Sequence, residues 1–477
     1  MTPLRNHATK IVATIGPASS APATMEAMIR AGQDVARLNF SHGTFDDHGR
    51  DIRNLRAAAA AAERDLAILV DLPGPKIRLG RIAGEPIELQ AGASFVLTTD
   101  EIEGDATRAF VSFARLPQVA GPGDHLFVND GIVDLQVESI RGCEVHCRVV
   151  VGGEIRSRKG VNLPGVDLGI SAFTEHDRRC LEFALGEGID IVSQSFVESG
   201  ADIEAVRAAG RAIGHEPFVV AKIERARALD RIDEILAAAD GIMIARGDLG
   251  VEVPVEQIAI LQKGLMRKAI RAGKPVITAT QMLESMTHSR RPTRAESTDV
   301  ANAILDGTDA VMLSAESASG RFPVEAVATL ARIAAVTEPH RPRYDLWERL
   351  KNRPQDLHPD AYDLVALAAE AITELGEVAA VFVPTGTGRM ARSIARFRLP
   401  IPIAVTTADV RVARRLLLSY GVWPEVVAAP VANWNEFARD WLREHDLRGE
   451  RALLLRGPSP DEPATNHSLE LIDLAAN

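Results

Sequence analysis

The stretch EPFVVAKIERARALDRIDEILAAADGIMIARGDLG, residues 216–250, contains the pattern that decides the fold. It opens with the apolar run FVVAKI, continues with a segment whose apolar residues recur at helical spacing, and closes with a second apolar run, GIMIA. Near-continuous apolar strands that alternate with helices indicate a parallel sheet whose outer face is covered by the helices. The stretch therefore predicts one β/α unit and the start of the next.

The same alternation extends through much of the chain. KIVATIGP, DVARLNF and LAILVDL are strand candidates before residue 72, and GIDIVSQSF, EPFVVAKIE, DGIMIARGDLG, KPVITATQM and DAVMLSAES follow after residue 163. Eight such units in about 245 residues match a closed barrel of eight strands and eight helices. We therefore predict a (β/α)8 TIM barrel built from residues 1–71 and 164–344.

Two regions depart from this alternation. Residues 72–163 are rich in Val, Gly and turn signals, and the segments HLFVNDGIVDLQVE and EVHCRVVVGGEI each predict a hairpin. After the polar connector RPRYDLWERLKNRPQDLHP, the segment AAVFVPTGTGRMARSIARF reads as a strand, a Gly-rich loop and a helix. We predict a β-rich insertion at 72–163 and an open α/β domain at 345–477.

Composition narrows the class of protein. The net charge of −11 argues against a nucleic-acid partner, which usually requires a basic stripe. The chain has three cysteines, as expected in a reducing compartment, and its amino terminus lacks an apolar signal region. No run approaches the roughly 18 apolar residues of a membrane span. These features predict a cytoplasmic protein without a membrane partner.

Polar residues follow nearly every predicted barrel strand. In a barrel of this type the carboxyl ends of the strands form the functional face, so these side chains are expected to converge there. They are Arg37, Asn39, Ser41, His42, Asp71, Ser195, Lys222, Glu224, Arg246, Gly247, Asp248, Thr280, Ser314 and Glu316.

Lys222 and Glu224 lie two apart on one strand and so point to the same side. Asp248 ends the next strand. Two carboxylates from adjacent strands suit a hard divalent cation such as Mg²⁺ or Mn²⁺, and the lysine would supply a fixed positive charge for an anionic group in transfer. The alternative is a buried Lys–Glu ion pair that only joins two strands.

At these residues the chain resembles the pyruvate kinase family over almost its full length. The segments TKIVATIGPAS, ARLNFSHG, KGVNLPG, KIE, GIMIARGDLG, TATQMLESM, RPTRAE, DVANAILDG and VMLSAES are similar to those of that family and occur in its order. The resemblance implies a barrel, an inserted β-barrel lid and a C-terminal regulatory domain, usually in a homotetramer. It also implies transfer of the phosphoryl group of phosphoenolpyruvate to ADP, which yields pyruvate and ATP in glycolysis.

The resemblance further implies residue roles. Glu224 and Asp248 hold the divalent metal, Mg²⁺ or Mn²⁺, and a second Mg²⁺ arrives with ADP. The phosphoenolpyruvate carboxylate is bound near Gly247, Asp248 and Thr280, and its phosphate by Arg37 and Lys222. Lys222 also stabilises the transition state. Ser314 and Glu316 belong to a water chain that protonates the enolate. The positions that contact nucleotide are Asn39, His42, Arg78 and Lys159.

The K⁺ position of the family departs from the usual pattern. The matching residues are Asn39, Ser41, Asp71 and Leu72, and Leu72 replaces a threonine. A glutamate usual in the next loop is Lys76 here, in LVDLPGPKIRLG. The resemblance includes K⁺-independent members with lysine at this place, so we expect Lys76 to supply the monovalent charge and K⁺ not to be required.

Three further departures leave the implied site intact. Glu198 stands where a basic residue is common, Arg227 where an acid or Gln is frequent, and Ser319 where a lysine is frequent. The loop TGTGRM after the first C-terminal strand can cradle a phosphate, and the resemblance implies a phosphorylated allosteric effector there; the alternative is a simple turn. The residues of this loop are Thr385, Gly386, Thr387, Gly388 and Arg389.

Two other functions remain open from the residues alone. One is a metal-dependent aldolase of pyruvate-like substrates, which also uses a Glu/Asp metal pair but needs no nucleotide lid. The other is a catalytically silent paralogue that senses phosphorylated metabolites. The sequence identifies neither the effector nor the preferred nucleoside diphosphate.

Overall fold

The computed structural model describes residues 4–342, 360–458 and 465–474. Most of the polar connector, including the expected domain start at residue 345, lies outside the described residues. Within the described ranges, no helix combines the length and the apolar character needed to cross a membrane.

Three β/α elements precede the insertion. Their strands are β1 (Lys10–Thr14), β2 (Val35–Asn39) and β3 (Ala67–Leu72), and the helices are α1 (Pro22–Ala31) and α2 (Phe45–Ala62). Pro22 suits the first position of α1 because its fixed φ matches the helix. Thr44 and Asp47 form a capping box that starts α2.

The insertion consists mainly of β-strands and contains one short helix. Its elements are β4 (Ile87–Leu89), β5 (Ser94–Thr98), β6 (Arg108–Phe110), α3 (Leu116–Val119), β7 (His125–Val128), β8 (Val133–Arg141), β9 (Glu144–Val151), β10 (Gly153–Ile155) and β11 (Val161–Asn162). Six strands form one sheet in the order β11-β7-β8-β9-β5-β6. Arg78 bridges to Gly160 beside β11, and Leu79 bridges to Val111 beside β6. Residues 78–79 thus form bridges beside both edge strands of this six-stranded sheet.

Of the two hairpins expected in the insertion, one is confirmed. β7 and β8 pair antiparallel around the Asn-Asp-Gly turn. The hairpin expected within EVHCRVVVGGEI is wrong, because β9 pairs with β8 and β5 whereas β10 pairs with the distant β4. Alternating apolar residues indicate a strand but do not select its partner.

Five further strands complete the main barrel: β12 (Ile191–Gln194), β13 (Val219–Ile223), β14 (Gly241–Ala245), β15 (Val276–Ala279) and β16 (Ala310–Leu313). The helices of this part are α4 (Glu175–Gly186), α5 (Gly200–Ala212), α6 (Ala226–Asp230), α7 (Ile232–Ala238), α8 (Arg246–Glu252), α9 (Ile258–Arg271), α10 (Arg294–Leu305), α11 (Ala315–Ala318) and α12 (Pro323–Thr337). Short 3-10 helices occupy Val255–Gln257, Glu284–Thr287 and Glu338–His340.

The eight strands close in the order β1-β16-β15-β14-β13-β12-β3-β2, with parallel pairing throughout. Alternate strand residues face either the barrel interior or the helices. The interior cluster includes Val12, Val35, Leu69, Ile191 and Val220. The residue two positions after each of these faces inward as well and lies nearer the carboxyl end, which determines the side chains that meet there.

The C-terminal domain is an open α/β sheet. Its elements are α13 (Ala361–Leu375), β17 (Val378–Pro384), α14 (Arg389–Ala395), β18 (Ile403–Thr407), α15 (Val410–Leu416), β19 (Val422–Val426), α16 (Trp434–Glu444), β20 (Arg451–Arg456) and β21 (Ser468–Asp473). The strand order is β19-β18-β17-β20-β21, and only β21 runs antiparallel to its neighbour. Pro424 lies in β19 at the sheet edge, where a missing N–H is tolerated.

Candidate active site

The uppermost inward layer of the barrel is polar on five of its strands. Its polar residues lie two positions beyond the apolar interior cluster and are Thr14, Arg37, Asp71, Ser193 and Lys222. All except Lys222 are less than one-tenth exposed, and the Lys222 side chain is 11% exposed. Apolar packing beneath this layer fixes the strands, so the polar side chains are held before any ligand binds.

Lys222 is the centre of this layer. Its Nζ donates to Ser195 Oγ at 2.7 Å and lies 3.4 Å from Asp71 and 3.2 Å from Glu224. Burial lowers the pKa of Lys222, but Asp71, Glu224 and Asp248 outweigh that effect and raise it above its ordinary value. The ammonium is therefore a permanent positive charge at a fixed position.

Arg37 and Asp71 form the second feature of the layer. Arg37 donates to Asp71 Oδ2 through Nη2 at 2.5 Å and Nε at 3.1 Å, and to Thr14 Oγ1 at 2.9 Å. Asp71 Oδ1 accepts a hydrogen bond from Ser193 at 2.8 Å. Burial alone would raise the pKa of Asp71, but Lys222 and Arg37 hold it below its ordinary value. Asp71 thus stays ionised and orients both cations.

Glu224 is 1% exposed, and its two oxygens have different partners. Its Oε1 accepts from the Phe196 amide at 2.7 Å, whereas buried Oε2 has no hydrogen-bond donor and only the ammonium of Lys222 nearby. Burial raises the pKa of Glu224 to about 7, although Lys222 opposes the shift; Asp248 reinforces it.

The two carboxylates fit a divalent cation. The charge of Asp248 disfavours ionisation of Glu224, and a cation bound to both carboxylates would relieve that repulsion. No cluster of three or more His, Cys, Asp or Glu side chains suited to a metal occurs within residues 4–342, 360–458 and 465–474. Substrate oxygens and water would therefore complete the coordination of Mg²⁺, as is usual for this ion.

Gly247 and Thr280 lie next to each other. The Gly247 amide donates to Thr280 Oγ1 at 2.7 Å, and Thr280 has a left-handed φ of 69°. Arg246 donates to the Thr280 carbonyl at 2.9 Å, to that of Ala279 at 3.3 Å, and forms an ion pair of 2.7 Å with Asp299. A left-handed φ at a threonine is strained and persists only when neighbouring groups hold the backbone in place. The hydrogen bonds from Arg246 to the carbonyls of Ala279 and Thr280 hold it here.

Ser314 and Glu316 lie together at the end of β16. Glu316 is fully buried and accepts hydrogen bonds from the Leu283 amide at 3.0 Å and the Ser314 amide at 2.7 Å. Both carboxylate oxygens therefore brace the loops after β15 and β16.

The four nucleotide-contact candidates lie on two domains. Burial lowers the pKa of His42, and Arg78, Lys76 and Arg37 lower it further, so these cations are near the imidazole. Arg78 also donates to the Arg158 carbonyl at 3.0 Å. The remaining two candidates are Asn39, whose Oδ1 accepts from the Ser41 amide at 3.1 Å, and Lys159, whose carbonyl accepts from the Leu79 amide at 2.8 Å.

The residues expected at the monovalent-cation position lie at the ends of β2 and β3 and in the loops that follow them. Asn39 pairs with Asp71 across β2 and β3. Leu72 is fully buried among the residues between strands and helices, so its side chain faces away from the barrel interior. Lys76 is exposed, and it forms no salt bridge with any residue of the described ranges.

The TGTGRM loop is internally bonded. Thr385 Oγ1 accepts from the Gly388 amide at 2.9 Å and the Thr387 amide at 3.3 Å, and Thr387 Oγ1 accepts from the Arg389 amide at 3.4 Å. Gly386 is exposed. Arg389 pairs with Asp360 at 2.5 Å. The hydroxyls thus occupy amides that a phosphate would otherwise use.

Two departures from the family pattern contact each other. Arg227 Nε lies 3.2 Å from Glu198, and Arg227 Nη1 lies 2.8 Å from Asp167 in the segment that leads out of the insertion. The unusual acid and the unusual base therefore compensate. Arg225, directly after Glu224, also binds Glu198 at 3.2 Å and the Val166 carbonyl at 3.1 Å.

Sequence reasoning missed the supporting residues. Thr14 and Ser193 are ordinary polar residues in apolar strands, and their only signal is the inward register that they share with Arg37 and Lys222. Nothing in the sequence predicts the contacts of Arg246, because they form only when the loop after β15 folds back towards β14.

Known proteins are similar to this chain in both sequence and fold. Residues 6–327 match the family model described as "Pyruvate kinase, barrel domain", and residues 363–462 match "Pyruvate kinase, alpha/beta domain". The chain is 48% identical over 423 residues to a pyruvate kinase of Thermococcus litoralis, with 88% of this chain and 89% of the relative covered. It is 43% identical over 460 residues to a pyruvate kinase of Methylorubrum extorquens, with coverage of 95% and 94%.

The architecture agrees with these matches. The crystal structure of a pyruvate kinase from Cryptosporidium parvum superposes with a TM-score of 0.90 at 34% identity and covers 98% of this chain and 96% of its own. Each domain has its counterpart, and the relatives match over most of their length. This chain belongs to the pyruvate kinase family.

Proposed function

We propose that the layer around Lys222 performs the phosphoryl transfer of this family. The chain is a phosphotransferase of the pyruvate kinase family, whose reaction converts phosphoenolpyruvate and ADP to pyruvate and ATP in glycolysis. Its ligands are accordingly phosphoenolpyruvate, pyruvate and the adenine nucleotides.

The observation that carries the assignment is the position of Lys222. A phosphoryl group in transfer resembles metaphosphate and needs charge neutralisation and positioning more than covalent catalysis. The ammonium of Lys222 is held by Ser195, Asp71 and Glu224, so it needs no reorganisation during the reaction. Arg37, fixed by Asp71, supplies the second positive charge for the phosphate of phosphoenolpyruvate.

Members of the family generally require a divalent metal. Glu224 and Asp248 would hold Mg²⁺ or Mn²⁺, and a second Mg²⁺ would enter with ADP. When bound, the metal neutralises charge on the phosphoryl and enolate oxygens. The burial of Glu224 and its repulsion by Asp248 support this assignment.

We assign the phosphoenolpyruvate carboxylate to Thr280 and the amides of Gly247 and Asp248. The hydrogen bond between Gly247 and Thr280 supports a common site. Arg246 is a positioning residue, since it acts through the Thr280 backbone. Ser314 remains the candidate that orders a water for enolate protonation. Because both oxygens of Glu316 accept from backbone amides, we assign Glu316 the support of Ser314 within that chain.

Asn39, His42, Arg78 and Lys159 would bind the nucleotide. We propose the insertion, residues 72–163, as a lid over the barrel, which comprises residues 1–71 and 164–344. Arg78 near His42 supports this arrangement, because it brings a residue of the insertion to the barrel site.

K⁺ is usual in the family, and we propose that this chain does not need it. Lys76 would provide the monovalent charge from a loop stiffened by Pro73 and Pro75. The proximity of Lys76 to His42 supports the proposal, as does Asp71, whose charge Arg37 and Lys222 already compensate.

We further propose a cytoplasmic homotetramer with residues 345–477 as its regulatory domain. A phosphorylated effector at residues 385–389 would have to displace the hydroxyl groups that now occupy the loop amides.

The test is Lys222→Met, which retains the side-chain length and removes the charge. Turnover should fall by at least the roughly 10²–10³ expected for one preorganised contact, while the affinity for phosphoenolpyruvate changes much less. Lys268→Met, on exposed α9, is the matched control. An affinity loss with near wild-type turnover would contradict the role of Lys222 in the transition state.

A further inference from the structure

A cleft of about 130 Å³ lies between the amino-terminal end of the main barrel and the C-terminal domain. The barrel contributes Arg207 on α5, Glu216 just before β13, and Asp240 just before β14. Lys222 lies at the other end of β13, so the cleft is separate from the site described above.

Both carboxylates of the barrel wall pair with Arg207, and Glu216 also lies 3.8 Å from Arg211. Arg207 Nη1 lies 3.0 Å from Glu216, and Arg207 Nη2 lies 2.6 Å from Asp240. Arg207 also donates to the Ala238 carbonyl at 3.0 Å. Arg207 compensates only part of this charge, so Asp240 also attracts Arg392 and Arg415 across the cleft.

The opposite wall is cationic, and Asp240 compensates it only from across the cleft. Arg392 on α14 donates to the Thr387 carbonyl at 3.2 Å. Arg415 on α15 donates to the Glu216 carbonyl at 2.8 Å and to the Asp190 carbonyl at 3.3 Å. In the three described ranges neither arginine forms a salt bridge with a carboxylate. Both guanidinium groups thus have donors left for another acceptor.

The electrostatics agree with that geometry. Burial lowers the pKa of Arg392, and Arg415 lowers it further, although Asp240 opposes the shift. The pKa of the adjacent Lys274 is lowered by burial and, among others, by Arg392. Positive charge is therefore in excess in a partly enclosed space, a situation that favours a bound anion.

We propose that this cleft binds a phosphate dianion between Arg392 and Arg415, either as inorganic phosphate or as the phosphoryl group of a phosphate monoester. Guanidinium groups bind phosphate with charge-assisted, paired hydrogen bonds. A cleft of this volume has room for a phosphate group. The remainder of a monoester would extend into solvent.

The bound anion would join the two domains. Arg392 and Arg415 come from the C-terminal domain, whereas the carbonyl bonded by Arg415 belongs to the residue three positions before β13. This site goes beyond the proposed phosphotransferase activity and does not depend on it. It is also distinct from the loop at residues 385–389, of which only Thr387 lines the cleft.

The experiment is isothermal titration of the full chain with inorganic phosphate and, separately, with glycerol 3-phosphate. Arg392→Gln and Arg415→Gln should each weaken binding by about tenfold or more, because each removes one charged contact. Arg411→Gln is the matched control, since Arg411 is exposed on α15 and pairs with Asp409. It should bind as the wild type does.

Two more variants identify the site that is titrated. Lys222→Met should retain the binding, which excludes the active site, and Arg389→Gln should retain it, which excludes the TGTGRM loop. Thermal melts without phosphate confirm that each variant is folded, and the two arginines lie on different helices, so one misfolded variant leaves the other as the test. Equal affinity in Arg392→Gln, Arg415→Gln and Arg411→Gln would overturn the proposal, as would no binding by the wild type.

The two probes separate the ligand sources. Comparable affinities would indicate that the site recognises the phosphoryl group alone. Preference for glycerol 3-phosphate would assign the site to a monoester, and binding of inorganic phosphate alone would assign it to the free anion.

Discussion

Glu224 is the residue whose environment most clearly calls for a ligand. It is buried, and burial and Asp248 disfavour its ionisation more than the ion pair of its Oε2 with Lys222 favours it. A buried carboxylate with that cost is stable as an anion only when a cation compensates it.

We predict that Glu224→Gln and Asp248→Asn each raise the Mg²⁺ concentration for half-maximal activity. The increase should be at least the roughly 10–100-fold that loss of even an outer-shell partner costs a metal site. Steady-state rates across a Mg²⁺ titration measure it. Glu182→Gln, on the exposed face of α4, is the control. If both variants saturate with Mg²⁺ as the wild type does, the metal is held elsewhere.

The loop after β3 is the element that distinguishes this chain within the site. The Asp71 side chain, near the end of β3, points into the barrel. In the loop that follows, Gly74 has a φ of 66°, and the Gly74 amide donates to Asp177 at 2.9 Å. A side chain at Gly74 would approach Phe196 to 2.7 Å, so the loop is tightly placed. It delivers Lys76 towards His42.

We predict full activity without K⁺. A like charge near Lys76 would cost about 4 kcal/mol at 4 Å with an effective dielectric near 20, which disfavours a bound K⁺. Lys76→Glu should create a K⁺ requirement, whereas Arg81→Glu, exposed in the same insertion, should not. Rates are measured with tetramethylammonium as the only other monovalent cation, at constant ionic strength. A several-fold increase in wild-type rate on adding K⁺ would return Lys76 to the role of a solvated turn residue.

At the scale of the whole molecule, the sequence predicts the main barrel well because its strands carry a local signal. Apolar runs of four to six residues separated by amphipathic helices leave few alternatives. Pairing between distant segments has no such local signal. The predicted hairpin partner of β10 is therefore wrong, and the sequence does not predict β21. The paired residues are 64 or more positions apart for β10 and 12 or more for β21, and packing selects them.

The residues of the candidate site also fall into those that the sequence predicts and those that it does not. Arg37, Asp71, Lys222 and Glu224 follow from inward register at the strand ends, and the structure brings them together. The roles of Arg246 and Arg225 could not be predicted, because they depend on loops that fold back from the next strand or from the insertion.

The most direct test of the account is the stoichiometry of phosphoryl transfer by the purified full chain. Phosphoenolpyruvate, ADP and Mg²⁺ are mixed with the protein, ATP is followed by ³¹P NMR, and pyruvate is followed by reduction with lactate dehydrogenase. We expect ATP and pyruvate to appear in equal amounts and both to be lost in Lys222→Met. Pyruvate without ATP would contradict transfer to ADP, and the absence of both would make the chain a silent phospho-metabolite sensor or an aldolase of pyruvate-like substrates.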